Sequence, residues 1–226
     1  MVSFSQRYRG PADVPQRIAV FPLARAILLP RANLPLNIFE PRYLQMVEDV
    51  MSTSRVLGMV QPENGEEESP AAAVAPLRRI GCCGRITGYQ ELQDGRLLIA
   101  LTGVARFELI DEVALAKPYR IFAVSYEPFL GDFVAGAGAD EVDRRGLIDA
   151  LKDYLAARDL DADWPAIAKA STETLVNSLA IVGPFGAVEK QALLEAPDLK
   201  ARAAMLVALA QMELAAGHGG AGSTLQ

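Results

Sequence analysis

The chain has 226 residues, of which 51% are hydrophobic and 22% are charged, and this composition suits one large globular domain or two small ones that share a core. The net charge of −6 leaves no basic surplus of the kind that nucleic-acid-binding proteins carry. No apolar run approaches the roughly 18–20 residues that span a bilayer, so we expect neither nucleic acid nor a membrane as the partner.

The N-terminal third predicts three short strands followed by a helix. The opening sequence MVSFSQRYRGPADVP has no apolar core before a small-residue cleavage site, which indicates a cytoplasmic protein rather than a secreted one. Two apolar runs follow in RIAVFPLARAILLP, and LPLNIF is typical of a third extended segment. From Pro41 onward apolar residues recur at three- and four-residue steps, which predicts a helix that buries Tyr43, Val47 and Val50. RVLGMVQ then returns to a strand pattern.

The sequence Glu40-Pro41-Arg42-Tyr43 at the start of this helix concentrates charge and an aromatic ring as an active site would. Most of its members also have a role in starting the helix. Pro41 suits the first helical position, and Glu40 places a negative charge beside the positive end of the helix, worth ~0.3–1 kcal/mol. Arg42 has no such role, and an ion pair with Glu40 or another carboxylate would make it structural as well.

The middle of the chain predicts a loop and then a β region. PENGEEESPAAAVAP has the composition of a solvated acidic loop. From Ile80 to Glu127 short apolar runs are joined by turns without helices, which favours a closed or nearly closed antiparallel sheet. Asp94-Gly95 predicts a hairpin turn, and Gly103 predicts a bulge or a close backbone approach. After the turn we expect Leu97, Ile99 and Leu101 to share one buried face. After Gly103 we expect the same of Ala105, Phe107 and Leu109.

The sequence of the last third of the chain predicts helices. GDFVAGAGAD is expected to be a flexible junction, and a stripe of Ile148, Leu151 and Leu155 predicts the first helix after it. STETLVNSLAIVG and FGAVEKQALLEA predict two more helices. Asp198 is placed to cap a fourth, whose inward residues would be Leu199, Ala203, Leu206 and Ala210.

Residues that could carry metal or catalytic chemistry are few. Cys82 and Cys83 are adjacent, so on a strand they would face opposite ways as reduced thiols, and His218 is the single histidine. The phosphate-binding loop and the G-x-S-x-G motif are absent, and the acidic run DLDADW lacks the glycine of a calcium loop. We therefore expect no catalytic constellation, no metal site and no cofactor.

Three stretches in order resemble the N-terminal, substrate-binding domain family of Lon proteases. They are FPLARAILLPRANLPLNIFEPRYLQMVEDV, DGRLLIALTGVARFELID and LVNSLAIVGPFGAVEKQALLEAPDLKARAAMLVALA, and together they extend from about Arg17 to Met212. The resemblance implies an α+β fold, in which a PUA-like antiparallel β pseudo-barrel with an inserted helix precedes a C-terminal helical bundle. We expect residues 1–130 to form the β-rich subdomain, 131–217 the bundle and 218–226 a disordered tail.

The resemblance also implies a function. In the full proteases this domain precedes an ATPase module and a Ser-Lys peptidase domain, whereas this chain stops where those would begin. We therefore expect a stand-alone, non-enzymatic module that recognises polypeptide segments or partner proteins, in protein quality control, through an apolar groove between barrel and bundle. An RNA- or small-molecule-binding PUA-like domain is the alternative, and a hydrolase is a third. The residues that we select as binding candidates are Arg42, Tyr43, Arg106 and Phe185, and the sequence leaves the ligand and the oligomeric state open.

Overall fold

The computed structural model describes residues 7–63 and 75–219, with side chains described up to residue 215. Most of the predicted acidic loop, residues 64–74, lies outside the described residues, and so do residues 220–226 of the predicted tail. Residues 218 and 219, which we expected in that tail, are the last two of a helix. No helix in the described ranges combines the length and the apolar character that crossing a membrane requires.

Six strands form one sheet that closes on itself. They are β1 (Arg17–Pro22), β2 (Asn33–Ile38), β3 (Val56–Val60), β4 (Ile80–Glu91), β5 (Leu97–Glu112) and β6 (Ile121–Ser125). The strand order is β2-β5-β4-β3-β1-β6, and β5 also pairs with β6, so that five strands close a ring and β2 lies beside it. The long strand β5 makes this possible because its first half pairs with β2 and its end pairs with β6.

The sheet is mixed, which corrects the expectation of an antiparallel barrel. β1 and β3 are parallel, with Val20 opposite Gly58, while the other pairings are antiparallel. Between these two strands the chain passes through β2 and helix α1 (Pro41–Met51), which returns it to the same end of the sheet. Parallel neighbours need such a crossover, and short apolar runs read one at a time do not show it.

The predicted turn and the predicted close approach are both present. β4 and β5 form a hairpin in which Gly95 has a φ of +81°, a conformation that glycine adopts without strain. At Gly103 the backbone of the loop before β2 crosses β5, and a Cβ atom there would lie 2.0 Å from the carbonyl oxygen of Leu29. Glycine at this position therefore allows the loop to lie directly against the strand.

Two buried clusters lie on opposite faces of the sheet. Ile18, Cys83 and Phe107 belong to one, which fills the barrel, whereas Cys82 belongs to the other, which also contains the buried face of α1 and residues of the C-terminal helices. Both cysteines are free thiols, as predicted. Burial raises the pKa of the Cys82 thiol well above its ordinary value and that of Cys83 to about 12, so both stay protonated and poorly nucleophilic.

In the described C-terminal residues there are five α-helices: α2 (Arg144–Ala156), α3 (Trp164–Lys169), α4 (Thr172–Val182), α5 (Ala187–Glu195) and α6 (Leu199–Gly219). Asp198 accepts a hydrogen bond from the Ala201 N–H at 2.7 Å, as predicted for the cap of α6. Helix α3 was not predicted. Asp163, from the acidic run DLDADW, is its N-cap and accepts the Ala166 N–H at 3.0 Å.

Two predictions in this part are wrong in detail. The fully buried residues of α2 are Leu147 and Tyr154, while the predicted stripe of Ile148, Leu151 and Leu155 is only half-buried. The segment 131–140 is more regular than the flexible junction that we expected. It takes part in two short 3₁₀ turns, Glu127–Phe133 and Ala139–Glu141, and it carries the buried side chain of Asp132.

Candidate functional site

The turn from β2 into α1 is held by interactions among its own residues. Glu40 is the N-cap, and its carbonyl accepts the N–H groups of Tyr43 and Leu44 at 2.9 Å. Arg42 pairs with the Glu40 carboxylate at 3.0 Å, and its guanidinium lies over the Tyr43 ring at 4.4 Å. Tyr43 is buried and meets Phe21 edge-on at 4.5 Å. The charged cluster is therefore first of all a rigid helix start, as the sequence suggested.

This turn also forms one wall of a surface cleft of about 190 Å³, which we call the β2–α1 cleft. It lies between the end of β1, the middle of β2 and the start of α1. Its lining residues are Phe21, Pro22, Leu23, Pro35, Leu36, Asn37, Phe39, Glu40, Arg42 and Tyr43. Phe39 is 63% exposed, although it is a large apolar side chain. The cleft thus combines an accessible aromatic ring with a paired guanidinium and carboxylate.

β2 is an edge of the sheet in the part of the chain that the structure describes. The Gly103 N–H donates to the Ala32 carbonyl at 2.9 Å just before β2 begins. Because backbone groups alternate in direction along a strand, the regular register that follows turns those of Asn33, Pro35 and Asn37 away from β5. Proline at an outward position is typical of an edge strand, since no ladder hydrogen bond is lost. The outward groups of Asn33 and Asn37 can pair with an added strand.

Arg106 is buried, and its carboxylate partner is Asp132. It is 4% exposed, and its guanidinium donates to both carboxylate oxygens of Asp132 at 2.9 Å. The third nitrogen donates to the carbonyls of Leu194 and Ala196, at 3.1 and 2.6 Å, where α5 ends. Arg106 is therefore fully paired and has almost no contact with solvent. This side chain connects the barrel to the helices, and its positive charge suits a helix C-terminus.

A second pair crosses the same boundary. Arg31, in the loop before β2, forms a two-pronged ion pair with Glu173 on the first turn of α4, and it also donates to the Asp132 carbonyl at 2.6 Å. Glu173 in turn accepts the Gly136 N–H at 2.9 Å. These groups, with Asn177 and Arg202, line a cleft of about 260 Å³ between barrel and helices, which we call the seam cleft. The groove expected there was apolar, whereas this one is lined by ion pairs.

Phe185 lies in a different place again. It is half-buried between α4 and α5 and lines a small apolar groove of about 60 Å³ among the helices. Its neighbours there include Leu147, Tyr154 and Leu206. Of the four residues selected from the sequence, the structure therefore brings Arg42 and Tyr43 together and places Arg106 and Phe185 in two other cavities.

Asp132, Glu173 and Arg202 were missed from the sequence. The sequence signal for Asp132 was weak: it is an isolated acid between Gly131 and Phe133, and the burial of Arg106, which requires a carboxylate, is not visible in the sequence. Lys190 is also buried, which lowers its pKa to about 8, and its amine donates to the carbonyls of Ala180 and Ile181 at the end of α4. Within the described ranges no three or more His, Cys, Asp or Glu side chains are grouped as metal ligands.

Comparison with known proteins identifies one family. A family model described as the ATP-dependent protease La (LON) substrate-binding domain matches residues 17–211. Lon protease 2 of Myxococcus xanthus is 29% identical over 210 residues, and the Lon protease of Anaeromyxobacter dehalogenans is 27% identical over 210 residues. Each alignment covers 87% of this chain but only 24% and 23% of the relative, so the chain spans about a quarter of these proteins.

Solved structures agree on the fold. A Lon N-terminal domain protein from Xanthomonas campestris has a TM-score of 0.58 at 22% identity, with 85% of this chain and 97% of that chain covered. The N-terminal domain of the Mycobacterium avium complex Lon protease has a TM-score of 0.60 at 14% identity, with 86% and 98% covered. The match therefore extends over almost the whole of each solved domain.

Proposed function

Since this chain belongs to the family of Lon substrate-binding domains, we propose that it is a non-enzymatic module that binds exposed apolar segments of unfolded polypeptides. We further propose that the β2–α1 cleft is where it binds them and that it acts in protein quality control in the cytoplasm. The observation that carries the assignment to this cleft is Phe39, 63% exposed beside an edge strand.

Two physical features of the cleft and of the β2 edge beside it suit an extended polypeptide. The outward backbone groups of Asn33 and Asn37 offer main-chain hydrogen bonds, which bind any sequence alike. Phe39 offers apolar area, which selects segments that have apolar side chains and would be buried in a folded client. Pro35 interrupts the row of donors, so a bound segment would pair with β2 over a short length only, which favours weak and reversible binding.

The alternative of RNA binding has less support. The net charge of −6 and the pI of about 5.0 disfavour binding to a phosphate backbone. In the β2–α1 cleft the guanidinium of Arg42 is paired with Glu40, which reduces its attraction for phosphate.

The proposal is tested by fluorescence anisotropy with a labelled, permanently unfolded polypeptide. We expect Phe39→Ala to weaken binding by about 1–2 kcal/mol, roughly five- to thirtyfold, because a central aromatic contact is lost. Leu160→Ala is the matched control, since Leu160 is 56% exposed and lies outside the cleft. Asn37→Pro removes one outward N–H and should also weaken binding.

Two results would count against this assignment. If the unfolded polypeptide does not bind and a denaturing client aggregates equally fast with and without the protein, the chain is not a polypeptide-binding module. If Phe39→Ala and Leu160→Ala behave alike while the wild type binds, the module binds polypeptides at another surface.

A further inference from the structure

Arg202 has a buried nitrogen that its surroundings leave unsatisfied. The side chain is 3% exposed, and it donates from Nε to the Leu193 carbonyl at 2.8 Å and from Nη1 to the Asn177 side chain at 3.0 Å. Among the residues that the structure describes, its Nη2 has no hydrogen-bond partner. A buried N–H of a charged group without a hydrogen-bond acceptor is strongly unfavourable, so we expect an acceptor beside this nitrogen.

The cations of the seam cleft do not all have a carboxylate partner. Arg106 and Arg202 are buried and Arg31 is partly buried, Asp132 and Glu173 are the buried carboxylates, and all five residues line the cleft. Each carboxylate is already engaged, Asp132 with Arg106 and Glu173 with Arg31. Arg202 is therefore the cation without a carboxylate of its own.

Arg202 keeps its charge despite this position. Burial, and next the charge of Arg106, lower the pKa of Arg202 to about 10, which still leaves the guanidinium protonated at neutral pH. Two further carboxylates, Glu141 and Asp198, line the cleft but are exposed to solvent, and Asp198 is occupied in capping α6. Solvent screens these exposed charges, so they offset the buried positive charge only weakly.

The position and size of the cleft suit a small anion. Pro197, Asp198 and Leu199 place the N-terminus of α6 at the cleft, and a helix N-terminus attracts negative charge. Arg202 is on the first turn of the same helix, where side chains lean towards the N-terminus. The cleft volume of about 260 Å³ is much more than one water molecule needs, and Phe129 supplies an apolar wall.

We propose that the seam cleft is a binding site for a carboxylate group, which accepts a hydrogen bond from Nη2 of Arg202 beside the N-terminus of α6. A single negative charge matches the one guanidinium of the cleft that has no carboxylate partner, and a planar carboxylate matches the planar guanidinium. The carboxylate comes either from the C-terminus of a polypeptide or from a small free acid. This inference goes beyond the polypeptide binding proposed for the β2–α1 cleft and does not depend on it.

Isothermal titration at constant ionic strength tests the site with three probes: acetate, a short apolar peptide with a free C-terminus, and the same peptide as its C-terminal amide. We expect acetate to bind. Tighter binding of the free-acid peptide than of the amide indicates a polypeptide C-terminus as the source. Equal binding of the two peptides together with acetate binding indicates a small free acid. Failure of both acetate and the free-acid peptide to bind overturns the proposal.

Arg202→Gln is the informative variant, and Lys200→Gln is its control, because Lys200 is an exposed cation on the same helical turn. We expect Arg202→Gln to weaken carboxylate binding by at least ~10-fold and Lys200→Gln to change it less than ~2-fold. If both variants weaken carboxylate binding equally, the binding reflects a general attraction to positive charge, and the proposed site is refuted. Inorganic phosphate binding at least ~10-fold more tightly than acetate would also refute it, since a phosphate site would then be the better description.

A measurement on the wild-type protein keeps the test valid if Arg202→Gln does not fold. Arginine side-chain resonances of the labelled protein should shift for Arg202 on addition of acetate, and those of the exposed Arg145 should not. This site and the proposed function fail separately, because Phe39→Ala should weaken the free-acid and the amidated peptide equally.

Discussion

The strongest test of the structure is the replacement of Asp132 by asparagine. The substitution keeps the shape of the side chain but removes the charge that faces the buried guanidinium of Arg106. Asp132 accepts three hydrogen bonds of 2.9 Å from Arg106, one from the backbone N–H and two from the guanidinium. Breaking one half of a buried ion pair typically costs about 3–5 kcal/mol, because the other half is left as an uncompensated buried charge. We expect the free energy of unfolding to fall by that amount.

Urea denaturation followed by circular dichroism measures this change. With a slope of about 2–3 kcal/mol per M, the loss corresponds to a midpoint about 1–2 M lower. Asp94→Asn is the control, because Asp94 forms an exposed pair with Arg96 in the hairpin turn, and little measurable change is expected. If the urea midpoint falls no further for Asp132→Asn than for the control, the buried ion pair between Asp132 and Arg106 is refuted.

The double variant Arg106→Met with Asp132→Leu tests whether Arg106 stabilises the fold through more than its ion pair. Replacing a whole buried ion pair by apolar residues is often neutral or stabilising. Here it should remain destabilising, because Arg106 also donates to the carbonyls of Leu194 and Ala196. Full recovery of stability in the double variant would mean that these two hydrogen bonds contribute nothing.

Two further predictions concern the packing of the loop before β2 and the end of α4. Gly103→Ala should destabilise the fold by about 3 kcal/mol or more in the same urea assay, because the added Cβ would meet the Leu29 backbone. Gly10→Ala is the control, since a Cβ at Gly10 has open space around it and should have little effect. Equal urea midpoints for the two variants would contradict the close approach at Gly103. Lys190 has a folded pKa of about 8, below its unfolded value, so this amine binds more protons in the unfolded state between about pH 8 and 10.5 and its contribution to stability rises with pH in that window, whereas the raised pKa values of Cys82 and Cys83 act in the opposite direction. Relative to Lys190→Met, the wild-type protein should therefore gain stability as the pH rises through that window, and a difference between the two proteins that does not change with pH would show that the amine is not buried as described.

Local features of the fold were predictable from the sequence where the residues that determine them lie within one short segment. The hairpin at Asp94-Gly95 depends on a glycine that adopts positive φ, and the cap of α6 depends on Asp198 alone. The placement of Ala105, Phe107 and Leu109 in one buried cluster is likewise set by the period of a strand. These causes are all visible within a few residues of sequence.

Features that depend on distant partners were not predictable in this way. The buried face of α2 is shifted from the expected stripe, since Tyr154 turns inward and its hydroxyl reaches Glu213 on α6 at 3.1 Å. The parallel pairing of β1 with β3 and the burial of Arg106 depend equally on segments far along the chain. The candidate sites therefore had to be found in the structure, because the sequence indicated Arg42 and Tyr43 but not the accessible Phe39 or the unsatisfied Arg202.

The hydrogen bond from Arg106 to Ala196 has a consequence for synthesis on the ribosome. The two residues are 90 positions apart in the chain. At an elongation rate of about 5–20 residues per second, the Ala196 carbonyl is made roughly 5–20 seconds after Arg106. During that interval the nascent barrel exposes a guanidinium that it will later enclose, and the apolar sheet face that the helices cover is open as well. A module proposed to bind unfolded chains is thus, while it is being made, a candidate client of the chaperones that attend nascent polypeptides.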